Sequence, residues 1–539
     1  MVPNREDLPE SGQPAHFARQ PELVIGLVGP LGTPLKDVHS MIEQELRAFG
    51  YKCALIRISH ILASVEGLST ALKDGNEYDR ICSRMDAGSE LRSSTKRGDI
   101  LARLAISLIW DERNKANASL PENHEVKLAT GEDFYRPVPG MAYVLDSLKN
   151  PDEVALLRRT YGGGFVLISA YAPKEVRLNS LVMRLAGGQT TEQNSIQQAR
   201  VLIDRDHSEE NAGDLGQRVS DVFAMADLVV DVRERKKCET ATRRFFESFF
   251  CNPFHSPTRD EHGMYLASCA ALRSLDMSRQ VGAAILDDHG SVLGMGHNDI
   301  PKHGGGLYWD GDTPDGRDYS VGQDFSVAFR KQIVGEIVNG LAKKDILSEK
   351  WKSNPSGLEE YLYHGEGKEI WSHLTINSLL EFGRPLHAEM SAILDCTSKG
   401  LSVRGATLYC TTFPCHLCAR LIIGAGIRRV VYIEPYHKSK TEMMYGESVE
   451  VDPSGEVKGK VNFMPFIGVA PQHYEKLFKW PGKRRTSDGK PTPWDPGKSG
   501  ARIKRYVDTY IDIEALVIES ANKILSISGL TWAPEKQKD

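Results

Sequence analysis

"TTFPCHLC", residues 411–418, places Cys415 and Cys418 three positions apart directly behind Pro414. The chain has nine cysteines over 539 residues, so a pair this close needs an explanation of its own. Alone, a C-x-x-C pair fits a redox couple, half of a structural zinc site, or two ligands of a metal that does chemistry. Upstream, "RPLHAEM" supplies His387 and Glu389, an imidazole and a carboxylate two positions apart.

In this order, H-x-E followed by P-C-x-x-C, the residues resemble the signature of zinc-dependent nucleobase deaminases. The physics of the resemblance can be followed residue by residue. Cys415 and Cys418 open a helix at i and i+3, which presents both sulfurs on one face. At the positive end of that helix, beside a dication, both are expected as thiolate ligands. His387 is the third ligand, leaving the fourth tetrahedral position to water, as catalytic zinc sites do. Zinc lowers the pKa of that water from 15.7 toward about 7. Glu389 is placed to take the water's proton, pass it to N3 as C4 of cytosine is attacked, and protonate the departing amine.

Regular elements surround these motifs. "AEMSAILDCTSKG" and "CHLCARLIIGAG" read as helices, "ATLYCTT" and "RRVVYIEP" as strands. Before them come the helix "GMYLASCAALRSL" and two strands, "QVGAAILDD" and "SVLGMGHN", joined at a turn with His289 and Gly290. Residues 303–383 are polar and irregular, with amphipathic helical pieces, and read as an insertion.

The first half of the chain has another rhythm. "ELVIGLVGPLGTPLKDVHSMIEQELRAFGYKCALIRIS" runs strand, glycine loop, helix, strand, with Thr33 as expected N-cap, Pro34 at the first helical position and Gly50 just past the end. Strands "AYVLDSL", "GFVLISAYA" and "DLVVDV" alternate with helices, the pattern of a parallel α/β domain. The boundaries expected are a loose arm over 1–20, an α/β domain over 21–235, a charged connection over 236–259, a second domain over 260–470, and a closing segment over 471–539. That last segment starts basic and rich in Pro and Gly and ends in a helix.

Composition sets the frame. Apolar residues make up 40% and charged residues 26%, the balance of a soluble globular chain of two or three domains. No stretch approaches the roughly 20 apolar residues of a membrane span, and the first residues lack the pattern of a signal peptide. The expectation is a cytoplasmic protein with no membrane partner. With 67 basic against 72 acidic residues, the net charge of -5 argues against coating nucleic acid along the whole chain.

Residues 260–470 resemble deoxycytidylate deaminases of the cytidine deaminase superfamily, on "SRQVGAAILDDHGSVLGMGHNDIP", "HAEMSAILD" and "TLYCTTFPCHLCARLIIGAGIRRVVYIEPY". The resemblance implies a three-layer αβα domain, a sugar contact from Asn298, and phosphates near Arg279 and Gln280. Over nearly the whole chain, the order of a P-loop-kinase-like domain, a deaminase with an insertion and "VNFMPFIGVAPQHYEKLF" resembles bacterial antiviral deoxycytidine nucleotide deaminases. It implies conversion of dCTP or dCMP to the uracil forms, a homo-oligomer, and in some members silencing by a small noncoding RNA. The basic residues Lys483, Arg484, Arg485, Arg502, Lys504 and Arg505 are a candidate contact for such an RNA, or an ordinary solvated surface. A housekeeping dCMP deaminase and a nucleic-acid cytosine deaminase are the competing readings.

The glycine loop departs from its family. A P-loop needs G-x-x-x-x-G-K-[ST]; from Gly29 this chain reads "GPLGTPLK", with Pro34, Leu35 and Lys36 in place of the second Gly, the Lys and the Ser/Thr. Phosphoryl transfer is not expected. Gly29, Gly32, Thr33 and Lys36 remain candidates for nucleotide sensing, with a scaffold role as the alternative, and Asp146 is either a metal-facing carboxylate or a solvated strand end.

Overall fold

The computed structural model describes residues 20–118, 125–127, 133–135, 137–187, 192–207, 215–379, 381–435, 439–503 and 509–534. Most of the expected N-terminal arm, with Lys504 and Arg505, lies outside them. The chain forms two compact units, one of residues 1–261 and 467–539, the other of residues 262–466.

In the first unit, strands β1 (Leu23–Val28), β2 (Lys52–Arg57), β3 (Met141–Asp146), β4 (Phe165–Tyr171) and β5 (Leu228–Asp231) are parallel, in the order β5-β4-β1-β3-β2. A short strand, Gly468–Val469, pairs antiparallel on the outside of β5. Its helices include α1 (Leu35–Arg47), α2 (Ile100–Ala118), α3 (Pro151–Tyr161), α4 (Glu192–His207) and α5 (Arg235–Phe249).

Every residue of β1 is buried, which is what a central parallel strand covered on both faces requires. Leu23, Ile25 and Leu27 point into a core with Val38, Ile42 and Leu46 of α1 and Phe245, Phe246 and Phe249 of α5. Val24 and Val28 point the other way, onto Ile100 and Leu104 of α2 and Val154 and Leu157 of α3. The strand period of two thus distributes one sequence run between two cores.

Two expectations change here. The start of the expected connection, 236–259, lies within α5, whose Cys238, Thr242, Phe245, Phe246 and Phe249 form a buried helical stripe. The closing segment returns to the first unit: Leu477 and Ala501 join the α5 core, and Val517, Ala521 and Leu525 of the helix Thr509–Ile527 join the other. That helix is tied by Arg113, fully buried, which donates to Glu22 (2.8 Å) and to Glu514 (2.7 Å).

The second unit has one six-stranded sheet and, among its helices, α6 (Arg259–Ala271, mostly in this unit), α7 (Phe325–Lys343), α8 (Ala388–Ser398) and α9 (His416–Ala425). Its strands are β6 (Gly282–Leu286), β7 (Val292–His297), β8 (Thr407–Thr412), β9 (Arg429–Glu434), β10 (Val449–Val451) and β11 (Val461–Pro465), in the order β7-β6-β8-β9-β11-β10. Strand β6 runs antiparallel to both of its neighbours, β7 and β8, and β8, β9, β11 and β10 run parallel.

Two glycines prove the layering. A Cβ on Gly282 would enter the backbone of Ala267 and Ala271 in α6, and one on Gly296 the backbone of Ala388 and Ala392 around α8. Gly282 pairs with His297 and Ala283 with Gly296. The two glycines therefore face opposite sides, and helices cover both. The insertion carries the helical pieces expected of it, α7 and Pro355–Tyr363. Among the described residues no helix is long and apolar enough to cross a membrane.

A candidate metal centre at two helix starts

His387 and Cys415 are the N-cap residues of α8 and α9, in extended backbone, and neither side chain caps its helix. Both are therefore free to point elsewhere, and they point at each other. The Sγ atoms of Cys415 and Cys418 each lie 3.3 Å from His387 Nδ1. One ligand atom from each of the three residues falls within 4.8 Å of the other two, the only such His, Cys, Asp or Glu group of three or more among the described residues.

The backbone holds these caps from several sides. Leu386 and Asp299 exchange backbone hydrogen bonds of 2.9 and 3.3 Å, an antiparallel bridge just before His387. The carbonyl of Pro414, just before Cys415, accepts from the hydroxyls of Ser439 (3.0 Å) and Thr441 (3.3 Å). Gly294 and Gly296, alternate residues of β7, let that strand lie directly on α8: a Cβ on Gly294 would stand 2.5 Å from Cys396 Sγ. Ser439, Thr441 and the β7 glycines were not picked out as site residues from the sequence, although alternate glycines in "LGMGH" are the mark of a close backbone approach.

Glu389, in the first turn of α8, is buried, and the Cys418 thiol donates to its Oε2 (3.4 Å). Burial raises its carboxyl above the ordinary range. A hydrogen bond from Cys418, then one from His387, pulls Cys415 down to about 4 against burial, while burial pushes Cys418 well up. Burial alone would lower His387, but its bond to Cys415 and the charge there leave it raised to about 9.

Without a metal these shifts leave Cys415 the thiolate and put protons on Cys418 and His387, and a dication bound there would displace those two protons. The donor set fits zinc. Bonds of about 2.0 Å to nitrogen and 2.3 Å to sulfur in a tetrahedron hold N and S about 3.5 Å apart, close to the 3.3 Å found here.

The expected substrate residues come together. Asn298 is buried, its Oδ1 accepting from Val281 N–H and its Nδ2 donating to the Arg279 carbonyl, both 2.7 Å. Gln280 donates to the Ser274 carbonyl at 2.8 Å, and an Arg279 Nη lies 3.8 Å from Glu434. Asn298 therefore fastens the 279–281 segment and keeps one amide hydrogen and one lone pair for another partner. Asn298 directly precedes the Asp299–Leu386 bridge on its side and His387 directly follows it on the other.

The glycine loop is another matter. The N-cap of α1 is Pro34 and not Thr33, and no side chain caps it. Thr33 N–H bonds back to Pro30 (3.1 Å) and Leu35 N–H to Thr33 (2.9 Å), two tight turns that use two of the loop's amides. Gly32, with φ +91, lies against the Arg177 carbonyl, Gly29 packs on Thr33 and Leu35, and Lys36 is exposed. Asp146 ends β3, and burial raises its carboxyl against the nearby Lys149 and Arg57 charges. In the basic stretch, Arg484 donates to the Pro253 carbonyl (2.6 Å), and the guanidinium carbons of Arg484 and Arg502 lie 5.8 and 4.9 Å from the Trp480 ring centre. Lys483 and Arg485 are exposed.

Residues 257–434 match the family model of the cytidine and deoxycytidylate deaminase zinc-binding region. The chain therefore carries a zinc-binding deaminase region, with His387, Cys415 and Cys418 as its cluster. It is 41% identical over 68 residues to the deoxycytidylate deaminase of Enterobacteria phage T4, covering 13% of this chain and 35% of that one. To the deoxycytidylate deaminase of Homo sapiens it is 26% identical over 181 residues, covering 33% and 67%. The matches to the phage T2 and T4 enzymes span about a third of those relatives' length, 36% and 35%. A solved dCMP deaminase of cyanophage S-TIM5, in complex with dCMP and dUMP, is 16% identical, covering 39% of this chain and 98% of that one, with a TM-score of 0.22.

Proposed function

We propose that the second unit hydrolyses the exocyclic amine of a free deoxycytidine nucleotide, with zinc held by His387, Cys415 and Cys418 and with Glu389 moving the protons. The observation that supports this is the convergence of those four side chains at the starts of α8 and α9, within a region that matches the deaminase model.

Bound there, zinc supplies a Lewis acid that brings the pKa of water from 15.7 toward about 7. Glu389 takes one proton from the attacking water and passes it to N3 as the oxygen bonds to C4. It then carries the second proton to the amine, the C4–N bond breaks, and ammonia and a uracil ring result. Burial, which raises its carboxyl, suits Glu389 to hold a proton between the two steps. Asn298, next to the bridge that precedes His387, uses its remaining amide hydrogen and lone pair on the sugar, with Arg279 and Gln280 toward the phosphates.

The finer reading is depletion of dCTP as an antiviral defence, by an oligomer whose activity an RNA restrains. What supports it is a whole additional α/β unit, sharing the chain with the deaminase, beyond what nucleotide salvage requires. The names of the relatives favour dCMP, and salvage is the second reading on that account.

Ammonia release with dCTP, dCMP, CTP, deoxycytidine and single-stranded DNA, with and without cell RNA, separates these. Turnover of dCTP that RNA suppresses supports the finer reading. Turnover of dCMP alone, indifferent to RNA, leaves salvage, and preference for DNA overturns the free-nucleotide assignment.

A further inference from the structure

The amides of the glycine loop have a countable fate. From Gly29 to Lys36, Pro30 and Pro34 have no N–H to give, and Thr33 and Leu35 donate within the loop. Leu31 N–H alone is donated to a side chain, and that side chain is an acid from far along the sequence. Asp206, near the end of α4, accepts from Leu31 N–H at 2.6 Å through Oδ2 and from the Lys149 ammonium at 2.7 Å through Oδ1.

Asp206 is 2% exposed. A carboxylate so deeply buried is stable only with donors on both oxygens, and here it has one on each. The donors are of the two kinds that hold a phosphate at such a loop, a backbone amide and a lysine ammonium. Lys149 follows β3, beside β1 in the sheet, and Leu31 follows β1 itself, so both stand at the carboxyl ends of neighbouring strands. In an open α/β sheet that is where ligands bind, at the point where the strand order turns, which here is β1 between β4 and β3.

Two features keep the donors in place. Gly32 can adopt φ +91 against the Arg177 carbonyl, where a side chain would collide. The backbone N–H of Lys149 is fixed by Glu153 at 2.7 Å, in the capping box that starts α3. The backbone on both sides of the donor pair is thus held, and an anion from this chain occupies the pair.

We propose that Asp206 is the resident anionic ligand of the glycine loop, standing where a phosphate would, so that a phosphate-bearing molecule enters only by displacing it and freeing the end of α4. The chemical class is a phosphate or pyrophosphate group, because the competing group is a carboxylate bound by one amide and one ammonium. The device works without the deaminase chemistry and would stand or fall separately from it.

The test is calorimetric titration of the full chain with inorganic pyrophosphate. A resident competitor lowers apparent affinity by the fraction of molecules in which the site is free. Asp206→Asn, which keeps the shape and removes the charge, is expected to bind pyrophosphate about tenfold or more tightly than the unaltered protein. Adding Lys149→Met should abolish the gain. Equal affinity of Asp206→Asn and the unaltered protein, with cooperative melting intact, overturns the proposal and leaves Asp206 a structural ion pair. Should Asp206→Asn fail to fold, hydrogen exchange of the unaltered protein decides: saturating pyrophosphate should speed exchange across residues 192–207, and unchanged exchange there overturns the proposal.

Discussion

The turn after β8 and the turn after β1 are built alike. Each leaves the carboxyl end of a buried strand, passes a proline and starts a helix whose N-cap makes no side-chain hydrogen bond. Their chemistry is opposite. After β8 the N-cap is Cys415, so a sulfur not used for capping meets Cys418 from the same turn and His387 from another helix start. After β1 the N-cap is Pro34, with neither donor nor ligand, and the loop's own carbonyls take up the Thr33 and Leu35 amides and Asp206 that of Leu31. A strand-to-helix turn supplies a position. The residue type at the cap, and whether the surrounding chain has already satisfied it, decides whether that position becomes a site.

The largest effect expected from breaking this contrast is in the second unit. Cys418→Ser should lose bound zinc by metal analysis and bring ammonia release to background, with the first unit's melting unaltered. A zinc-loaded, active variant would remove Cys418 from the ligand set.

Next comes the buried cation of the first unit. Arg113→Met leaves Glu22 and Glu514 buried without their partner and should cost about 3–5 kcal/mol in denaturant unfolding, while zinc stoichiometry is kept. Loss of zinc at a denaturant level where the variant is still folded would show that the metal centre depends on that network.

Gly296→Ala sharpens the role of β7. Its new Cβ would enter the backbone of Ala388 and Ala392 at the start of α8, so about 1–3 kcal/mol of destabilisation is expected, with weaker zinc retention against a chelator. A fully stable variant with normal retention would mean that β7 does not press on the site.

The smallest effect is a pH dependence in the first unit. Burial would raise Asp227, but the hydrogen bond and charge of His473, the charge of Arg158 and the N–H of Leu167 hold its carboxyl below 3.8. A carboxyl depressed in the folded state contributes stability above its unfolded pKa, and the contribution is lost as pH falls through the folded value. Unfolding free energy of the first unit should therefore fall below about pH 4, and Asp227→Asn should flatten that slope. An unchanged slope would assign the acid sensitivity to other carboxylates.

Much of the metal centre was legible in the sequence because its chemistry is written in short spacings. Cys415 with Cys418 opens one helical turn at i and i+3, where the two lie on one face, and His387 with Glu389 spans only the N-cap and first turn of another helix. What holds them in place was not legible. The Asp299–Leu386 bridge and the hydroxyls of Ser439 and Thr441 on Pro414 join residues far apart in the chain, and no local pattern announces such pairings. The parallel α/β character of the first half followed from its apolar runs, yet α5 was read as a connection because "RERKK" at its start draws the eye from the stripe of Cys238, Thr242, Phe245, Phe246 and Phe249. In the glycine loop the missing P-loop residues could be read directly. The occupation of Leu31 N–H by Asp206, separated from it by 175 positions, could not.

The central claim is that Glu389 moves protons at a zinc centre it does not help to hold. The most direct measurement pairs zinc content with ammonia release from dCMP and dCTP for the unaltered protein and for Glu389→Gln. The account predicts equal zinc in both and a fall in turnover of about 10²–10⁴-fold in the variant, the range for loss of a general acid–base group. Equal turnover, or zinc lost together with the carboxylate, would contradict it.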